Sequence, residues 1–135
     1  MTVACSFCDI VAGRAAADVV FRSADVIAFL PRVLYAAGHT LIAPCRHVAT
    51  IWECQNDELS RLAAVARDLS LRSCEALGAT GCNLLHASGE DAQQSVPHVH
   101  VHLLPRYAGD GIDAWPALSP VAVDRAVLVR KLGGM

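Results

Sequence analysis

Residues 94–106 read QSVPHVHVHLLPR, and within this stretch histidines alternate with aliphatic residues. A period of two predicts a β-strand, expected from His98 to Leu104 and stopped by Pro105, with the three histidines on one face. Three imidazoles packed together as core filler would leave polar groups without hydrogen bonds, which is costly. The histidine face of this strand therefore indicates a functional site.

Two kinds of chemistry suit the three histidines. A His-x-His pair on a strand can share a zinc ion, but the outer two residues lie ~13 Å apart, too far for both to bind one ion at ~2 Å. The alternative is nucleophilic catalysis, in which a neutral imidazole attacks phosphorus while neighbouring donors stabilise the charge. The spacing favours a division of labour within the triad.

The rest of the chain predicts four further strands and two helices. Short apolar runs bounded by turn residues predict the strands, and apolar spacing of 3.6 residues predicts a long amphipathic helix with Asn56 as its N-cap. Ser119 as N-cap, followed by Pro120, predicts a terminal helix. An antiparallel sheet with helices on one face is of the α+β class. The expected strands are 19–22, 26–30, 39–43 and 82–87, and the expected helices are 56–78 and 119–132.

Composition indicates one compact domain over residues 1–135. Hydrophobic residues make up 54% of the chain, and the mean hydropathy is +0.39, enough for a buried core. Every apolar run is broken well before the roughly 20 residues that cross a bilayer, and the first 20 residues lack a signal-peptide pattern. We therefore expect a cytoplasmic protein with no membrane partner.

The net charge limits the possible ligands, and the composition indicates the state of the cysteines. The net charge of −2 argues against a nucleic acid polymer as partner but permits a small phosphorylated ligand. A chain this apolar does not need disulfides, and a reducing compartment would keep its six cysteines open. Four of them are expected to pack as small apolar side chains: Cys45, Cys54, Cys74 and Cys82.

Four ordered blocks of the chain resemble the histidine triad (HIT) family. The family motif His-φ-His-φ-His-φ-φ, with φ apolar, matches residues 98–104, HVHVHLL. Three earlier segments are also similar: CSFCDIVAG at 5–13, AGHTLIAP at 37–44 and RHV at 46–48. The resemblance, to the Hint-like bacterial branch in particular, implies a HIT-like fold and a nucleotide-binding enzyme.

The resemblance also implies roles for individual residues. In such proteins the middle histidine becomes covalently nucleotidylated and water releases the nucleotide, which would make His100 the nucleophile. His102 would contact the phosphate and handle a proton, and Gln94 and Ser95 would hydrogen-bond the phosphate or the leaving group. His39 would support the active site. A histidine at position 102 favours hydrolysis, because related transferases usually carry Gln there, while phosphorolysis and transfer stay open.

A second set of residues resembles a metal site. Cys5-x-x-Cys8 alone is weak evidence for any function. In zinc-bearing HIT proteins the matching pair is completed by the positions of His47 and His98, which implies a closed structural zinc site and leaves His100 free for chemistry. The alternative is a reduced, metal-free thiol pair. No organic cofactor is expected.

Two positions depart from the family pattern at the sugar end of the site. Pro31 stands where purine-nucleoside-binding members carry Asp, and Ala87 stands where they carry Asn, so ribose recognition is in doubt. Arg32, His86 and Asn83 are the candidate substitutes. The expected function is hydrolysis of a phosphoramidate, an adenylate anhydride or a dinucleoside polyphosphate. A pathway-specific HIT-fold enzyme with an altered substrate, or a nucleotide-binding regulatory protein with little turnover, are the alternatives.

The resemblance also implies an oligomeric state. HIT proteins of this size usually form symmetric dimers in which two sheets are joined. We therefore expect a homodimer, with the C-terminal tail around Trp115 reaching the partner's site.

Overall fold

A computed structural model describes residues 4–134 of the chain. Its centre is a five-stranded sheet in the order β1-β2-β3-β5-β4, in which every neighbouring pair is antiparallel. This arrangement confirms the predicted α+β class. The strands are β1 (Val19–Arg22), β2 (Val26–Phe29), β3 (Thr40–Pro44), β4 (Gly81–Leu85) and β5 (Val101–Arg106), and the helices are α1 (Ser6–Val11), α2 (Asn56–Leu77) and α3 (Arg125–Leu132).

The long helix α2 covers one face of the sheet. Its buried residues recur every three or four positions, so they form one stripe along the helix. They pack against the aliphatic face of the triad segment, where Val99 and Leu103 are almost fully buried. Each such aliphatic side chain contributes about 1.5–3 kcal/mol when buried. The buried stripe of α2 is Leu62, Ala66, Leu69 and Ser73.

The expectation that four cysteines pack as small apolar side chains was wrong for two of them. Cys74 lies on α2 outside the buried stripe and Cys82 lies on the edge strand β4, so both are exposed, whereas Cys45 and Cys54 are half-buried.

The start of α2 differs by one residue from the prediction. The N-cap is Gln55 rather than Asn56, because Gln55 and Glu58 form a reciprocal capping box, with the Gln55 backbone N–H donating to Glu58 Oε2 at 2.9 Å. The helix ends as expected at Gly78, whose φ of +75° suits glycine.

The other face of the sheet carries the short helix α1, so the expectation that helices cover only one face was wrong. With six residues, α1 is too short to show a clear apolar period. Its Phe7 is buried, with its ring edge-on to Phe29 and to His100 at centroid distances of 5.2 and 5.1 Å. Helix α1 therefore brings the Cys-x-x-Cys segment and an aromatic ring to the histidine face.

The triad segment enters the sheet later than predicted. Strand β5 begins at Val101 instead of His98, and β4 ends at Leu85, short of the expected Ala87. Before Val101 the chain is held by isolated bonds, such as the Val99 N–H to the Val48 carbonyl at 2.7 Å. The histidines nevertheless alternate with the aliphatic residues as predicted, since Val99 and Leu103 face α2.

The C-terminal helix is shorter than predicted. Helix α3 begins at Arg125, because Asp124 rather than Ser119 caps it, accepting from the backbone N–H groups of Ala126 and Val127. Trp115 precedes it in an irregular segment and is 83% exposed. Within residues 4–134, none of the helices combines the length and the apolar character that crossing a bilayer requires.

Candidate active site and metal cluster

Two clefts meet at the second and third histidines of the triad. The β4-side cleft, about 310 Å³, is lined by residues that include Tyr35, His39, Leu85, His86, Ala87 and Gln94. The α1-side cleft, about 570 Å³, is lined by residues that include Phe7, Ile10, Asp18, Phe29, Pro31, Arg32 and Leu41. Ser95, His100 and His102 line both.

The hydrogen bonds of His100 fix which ring nitrogen is free. Its Nδ1 lies 2.8 Å from the backbone carbonyl oxygen of His98. A carbonyl only accepts, so Nδ1 carries the proton and the lone pair of the neutral ring is on Nε2. The side chain is buried, and this burial lowers the pKa of His100, which keeps the ring neutral at pH 7. A neutral imidazole with a free Nε2 is equipped to act as a nucleophile.

His102 is fixed in the opposite tautomer by a chain of donors. The Tyr35 backbone N–H donates to His39 Nδ1 at 3.3 Å, so the His39 proton is on Nε2, which donates to His102 Nδ1 at 3.0 Å. His102 therefore carries its proton on Nε2. Burial, followed by the neighbouring His100 and His39, lowers the pKa of His102 to about 4. The result is a neutral N–H donor beside the acceptor nitrogen of His100, with ring centroids 5.2 Å apart.

The loop before the triad places Ser95 and Gln94 differently. Ser95 lines both clefts, and within residues 4–134 its hydroxyl has no hydrogen-bond partner. Gln94 lines the β4-side cleft, but its Nε2 donates to the carbonyls of Ala49 and Val96 and its Oε1 accepts from the Gly89 N–H. Both amide protons of Gln94 are thus engaged in bracing the loop.

The four residues of the expected metal site come together. Cys5, Cys8, His47 and His98 each place one ligand atom within 4.8 Å of the others. His98 Nε2 donates to the Pro44 carbonyl at 2.8 Å, which leaves the Nδ1 lone pair facing the thiols.

The distances within this metal cluster suit a tetrahedral ion. His98 Nδ1 lies 3.5 Å from Cys5 Sγ and 3.6 Å from Cys8 Sγ, and His47 Nδ1 lies 3.3 Å from Cys8 Sγ. The edge of a tetrahedral zinc site with two Cys and two His ligands is roughly 3.5 Å. Burial and the adjacent Cys5 raise the pKa of Cys8 to about 11, whereas a bound dication favours the thiolate. The donor set therefore fits zinc.

The two positions that depart from the family pattern line different clefts rather than one common end of the site. Pro31 lines the α1-side cleft next to Arg32, and Ala87 lines the β4-side cleft next to His86. Asn83 is instead committed to the fold, because its Oδ1 accepts from Arg106 Nη1 at 2.9 Å.

Gln93 and Ser88 had no assigned role before the structure, and His86 was expected only as a candidate substitute for the missing ribose contacts. Gln93 has a φ of +64°, a left-handed conformation that costs a non-glycine residue about 1 kcal/mol, and it ends the short 3-10 turn of residues Glu90–Ala92. His86 and Ser88 hydrogen-bond to each other and, through His86, to the backbone of His100. The only sequence signal for them was the position of His86 beside Ala87.

The chain is similar in sequence to known proteins. The HIT domain pattern matches residues 12–109. An uncharacterized HIT-like protein of Methanocaldococcus jannaschii is 37% identical over 107 residues, which span 79% of this chain and 82% of that protein.

Solved structures are similar in fold and in sequence. A zinc-bound histidine triad family protein from Mycobacterium smegmatis has a TM-score of 0.78 and 31% identity, over 82% of this chain and 80% of that one. A hypothetical histidine triad nucleotide-binding protein from Sulfolobus tokodaii has a TM-score of 0.74 and 30% identity, over 95% and 88%. A HIT family hydrolase from Legionella pneumophila has a TM-score of 0.70 and 32% identity, over 84% and 98%.

Proposed function

The chain belongs to the HIT domain family, and from that premise we propose that it is a nucleotide hydrolase whose nucleophile is His100. The observation that carries the proposal is the pair of complementary tautomers where the clefts meet: a free Nε2 on His100 and an N–H donor on His102. The similarity to a hypothetical nucleotide-binding protein and to a hydrolase of the family supports the same reaction class.

The proposed reaction has two displacements at phosphorus. In the first, His100 Nε2 forms a bond to phosphorus, the bond to the leaving group breaks, and the leaving atom takes a proton from water. In the second, water attacks phosphorus, the Nε2–phosphorus bond breaks, and the proton of that water passes to solvent. His102 Nε2–H and the Ser95 hydroxyl stabilise the negative charge on the phosphoryl oxygens. His39 holds His102 in the donor tautomer.

The two clefts differ in the groups they suit. Aromatic and aliphatic side chains, Phe7 and Phe29 among them, line the α1-side cleft and suit a flat base. Among the described residues, no Asp, Glu, Lys or Arg lines the β4-side cleft. A second nucleotide with its phosphates needs cations, so this cleft favours an uncharged leaving group such as an amine. Among the candidate substrates, a phosphoramidate fits best.

This assignment predicts an order of turnover. Nucleoside phosphoramidates of uncharged amines are expected to give kcat/KM at least ~10-fold above that of dinucleoside polyphosphates, because one unsatisfied charged group costs more than about 1.4 kcal/mol. Turnover of both classes, with acid quenching to trap labelled nucleotide on the protein, is the measurement. The reverse order would contradict the assignment of the β4-side cleft. Binding without label or turnover would favour the regulatory alternative.

The residues expected to bind the sugar support the second candidate function, an enzyme with an altered substrate. A carboxylate that accepts ribose hydroxyls is replaced by Pro31, and the neighbouring Arg32 brings a positive charge to the same cleft. Activity confined to substrates other than ordinary adenosine nucleotides would favour this candidate while leaving the His100 mechanism in place.

We also propose that Cys5, Cys8, His47 and His98 hold a structural zinc ion. The zinc-bound neighbour and the interatomic distances support this assignment. The ion would fasten α1 to the triad segment and supply stability rather than catalysis.

Assembly as a homodimer is the next prediction. Strand β4 is an edge strand with mostly exposed residues, and its Leu84 is 52% exposed. Joining two such edges would pair their open backbone groups. Light scattering is expected to give twice the 14.3 kDa chain mass, and Leu84→Lys should shift the particle toward the monomer. Val19→Lys on the opposite edge strand is the matched control. A 14.3 kDa particle from the unmodified protein would refute the dimer.

A further inference from the structure

His86 lies where the hydrogen-bond ladder between β4 and β5 stops. The last pair of that ladder is Leu85 with His102, and β5 does not extend back to His100. The backbone of the proposed nucleophile is therefore outside the regular sheet. A segment in this position needs other partners to keep its place.

The His86 side chain supplies one of those partners. Its Nδ1 lies 2.8 Å from the backbone carbonyl oxygen of His100. The carbonyl accepts, so the proton of the neutral ring is on Nδ1, and His86 Nε2 accepts from the Ser88 hydroxyl at 2.7 Å. The same Ser88 Oγ accepts from the Ile51 N–H at 2.8 Å. These three bonds fix the His86 tautomer and ring orientation.

After His100 the triad segment is held by the pairing of β5 with β3 and β4, and before His100 it is held by isolated bonds. The His98 side chain donates to the Pro44 carbonyl, and the Val99 N–H donates to the Val48 carbonyl. The His100 ring is in turn oriented by the carbonyl of His98. Within residues 4–134, His86 is the only side chain that hydrogen-bonds to the backbone of His100 itself.

We propose that His86, held by Ser88, is a positioning residue that sets the place of the His100 imidazole. The inference rests on His100 being the nucleophile, and it adds a role that the reaction scheme does not contain. Its physical basis is that a misplacement of about 1 Å in a reacting group can cost on the order of 100-fold in rate. His86 also lines the β4-side cleft, so a direct contact with the leaving group is the competing role.

A variant series separates these roles. Asparagine places an N–H donor where His86 has Nδ1, whereas alanine has no donor. In rapid-quench measurements of the covalent step, His86→Ala is expected to slow labelling of His100 by about 10- to 100-fold with KM little changed, and His86→Asn by less than ~5-fold. Ser88→Ala should slow the step by about 3- to 10-fold, and Ser88→Thr should restore it. Ser60→Ala, which removes an exposed hydroxyl bonded within α2, is the matched control.

The dependence on the leaving group decides between positioning and direct contact. If His86 positions His100, its loss slows all phosphoramidates by the same factor. A factor that changes with the leaving group, or an Asn variant as slow as the Ala variant, overturns the proposal.

A readout independent of activity is the tautomer, measured by ¹⁵N NMR of the imidazoles. His86 is expected in the Nδ1–H form in the unmodified protein and also in Ser88→Ala, because the His100 carbonyl accepts from Nδ1 in both. An Nε2–H form in the unmodified protein contradicts the inference. Absence of any covalent nucleotide contradicts the proposed function instead, whatever the tautomer.

Discussion

Replacing His100 by asparagine is expected to abolish covalent labelling and to lower turnover by about 10⁴-fold or more, since no other group can take over the attack. The third histidine, His102, has its Nδ1 occupied by the His39 N–H and presents a proton on Nε2. The first, His98, faces two thiols with its free nitrogen. His100 Nε2 is therefore the one triad nitrogen with a lone pair available where the clefts meet.

Asparagine is the sharper substitution because it keeps the local structure. Its side-chain N–H can donate to the His98 carbonyl as His100 Nδ1 does, and it leaves a smaller gap beside Phe7 than alanine. Melting curves and retained nucleotide binding would show that the site is intact. All six histidines belong to the triad, its neighbours or the metal cluster, so none serves as a matched control. His100→Gly with added imidazole is the positive control, expected to recover part of the rate. Near-native turnover by His100→Asn would overturn the mechanism.

The parts of the fold that sequence reasoning predicted are those with long periodic patterns. The 22 residues of α2 repeat their apolar stripe over six turns, and the triad alternates over seven residues, so in both cases the period is unambiguous. Helix α1 was missed because six residues span less than two turns and its N-cap is Cys5, an unusual capping residue. The start of α3 was misplaced because Asp124 and Ser119 are both good caps, and in the folded chain it is Asp124 that accepts from the first N–H groups of the helix.

For the site, the spacing of residues along the chain could be read from the sequence, whereas contacts between distant segments could not. The three histidines and the Cys-x-x-Cys pair have a readable spacing, and the structure places His100 and His102 where the two clefts meet and His98 with both cysteines in the metal cluster. The commitment of Gln94 to Ala49, 45 residues away, has no signature in either segment. The tautomers of His100 and His102 also depend on carbonyl and imidazole partners that only the folded chain brings close. Roles that depend on hydrogen bonding across the fold therefore could not be derived from spacing.

Cys8→Ser is expected to abolish zinc binding and to lower the melting temperature by ~5–15 °C. The purified, unmodified protein should hold about one zinc ion per chain by elemental analysis. Metal binding that accompanies folding contributes its free energy to stability, and a loss of a few kcal/mol shifts the melting temperature of a domain of this size by about 3 °C per kcal/mol. Phe7 is the only fully buried residue of α1, and its other apolar contacts are the partly buried Ile10 and Val11, so the ion would be a main anchor of the helix.

Cys74→Ser is the matched control, because Cys74 is an exposed free thiol on α2, outside the metal cluster. It should keep both the zinc and the melting temperature, whereas a chelator should lower the melting temperature of the unmodified protein to that of Cys8→Ser. His98 belongs to the metal cluster, and its backbone carbonyl accepts from Nδ1 of His100, the proposed nucleophile. Loss of the ion should therefore also slow covalent labelling of His100. If the purified protein contained no metal and still had its full melting temperature, the zinc proposal would be refuted. Cys5 and Cys8 would then be two thiols that pack beside His98.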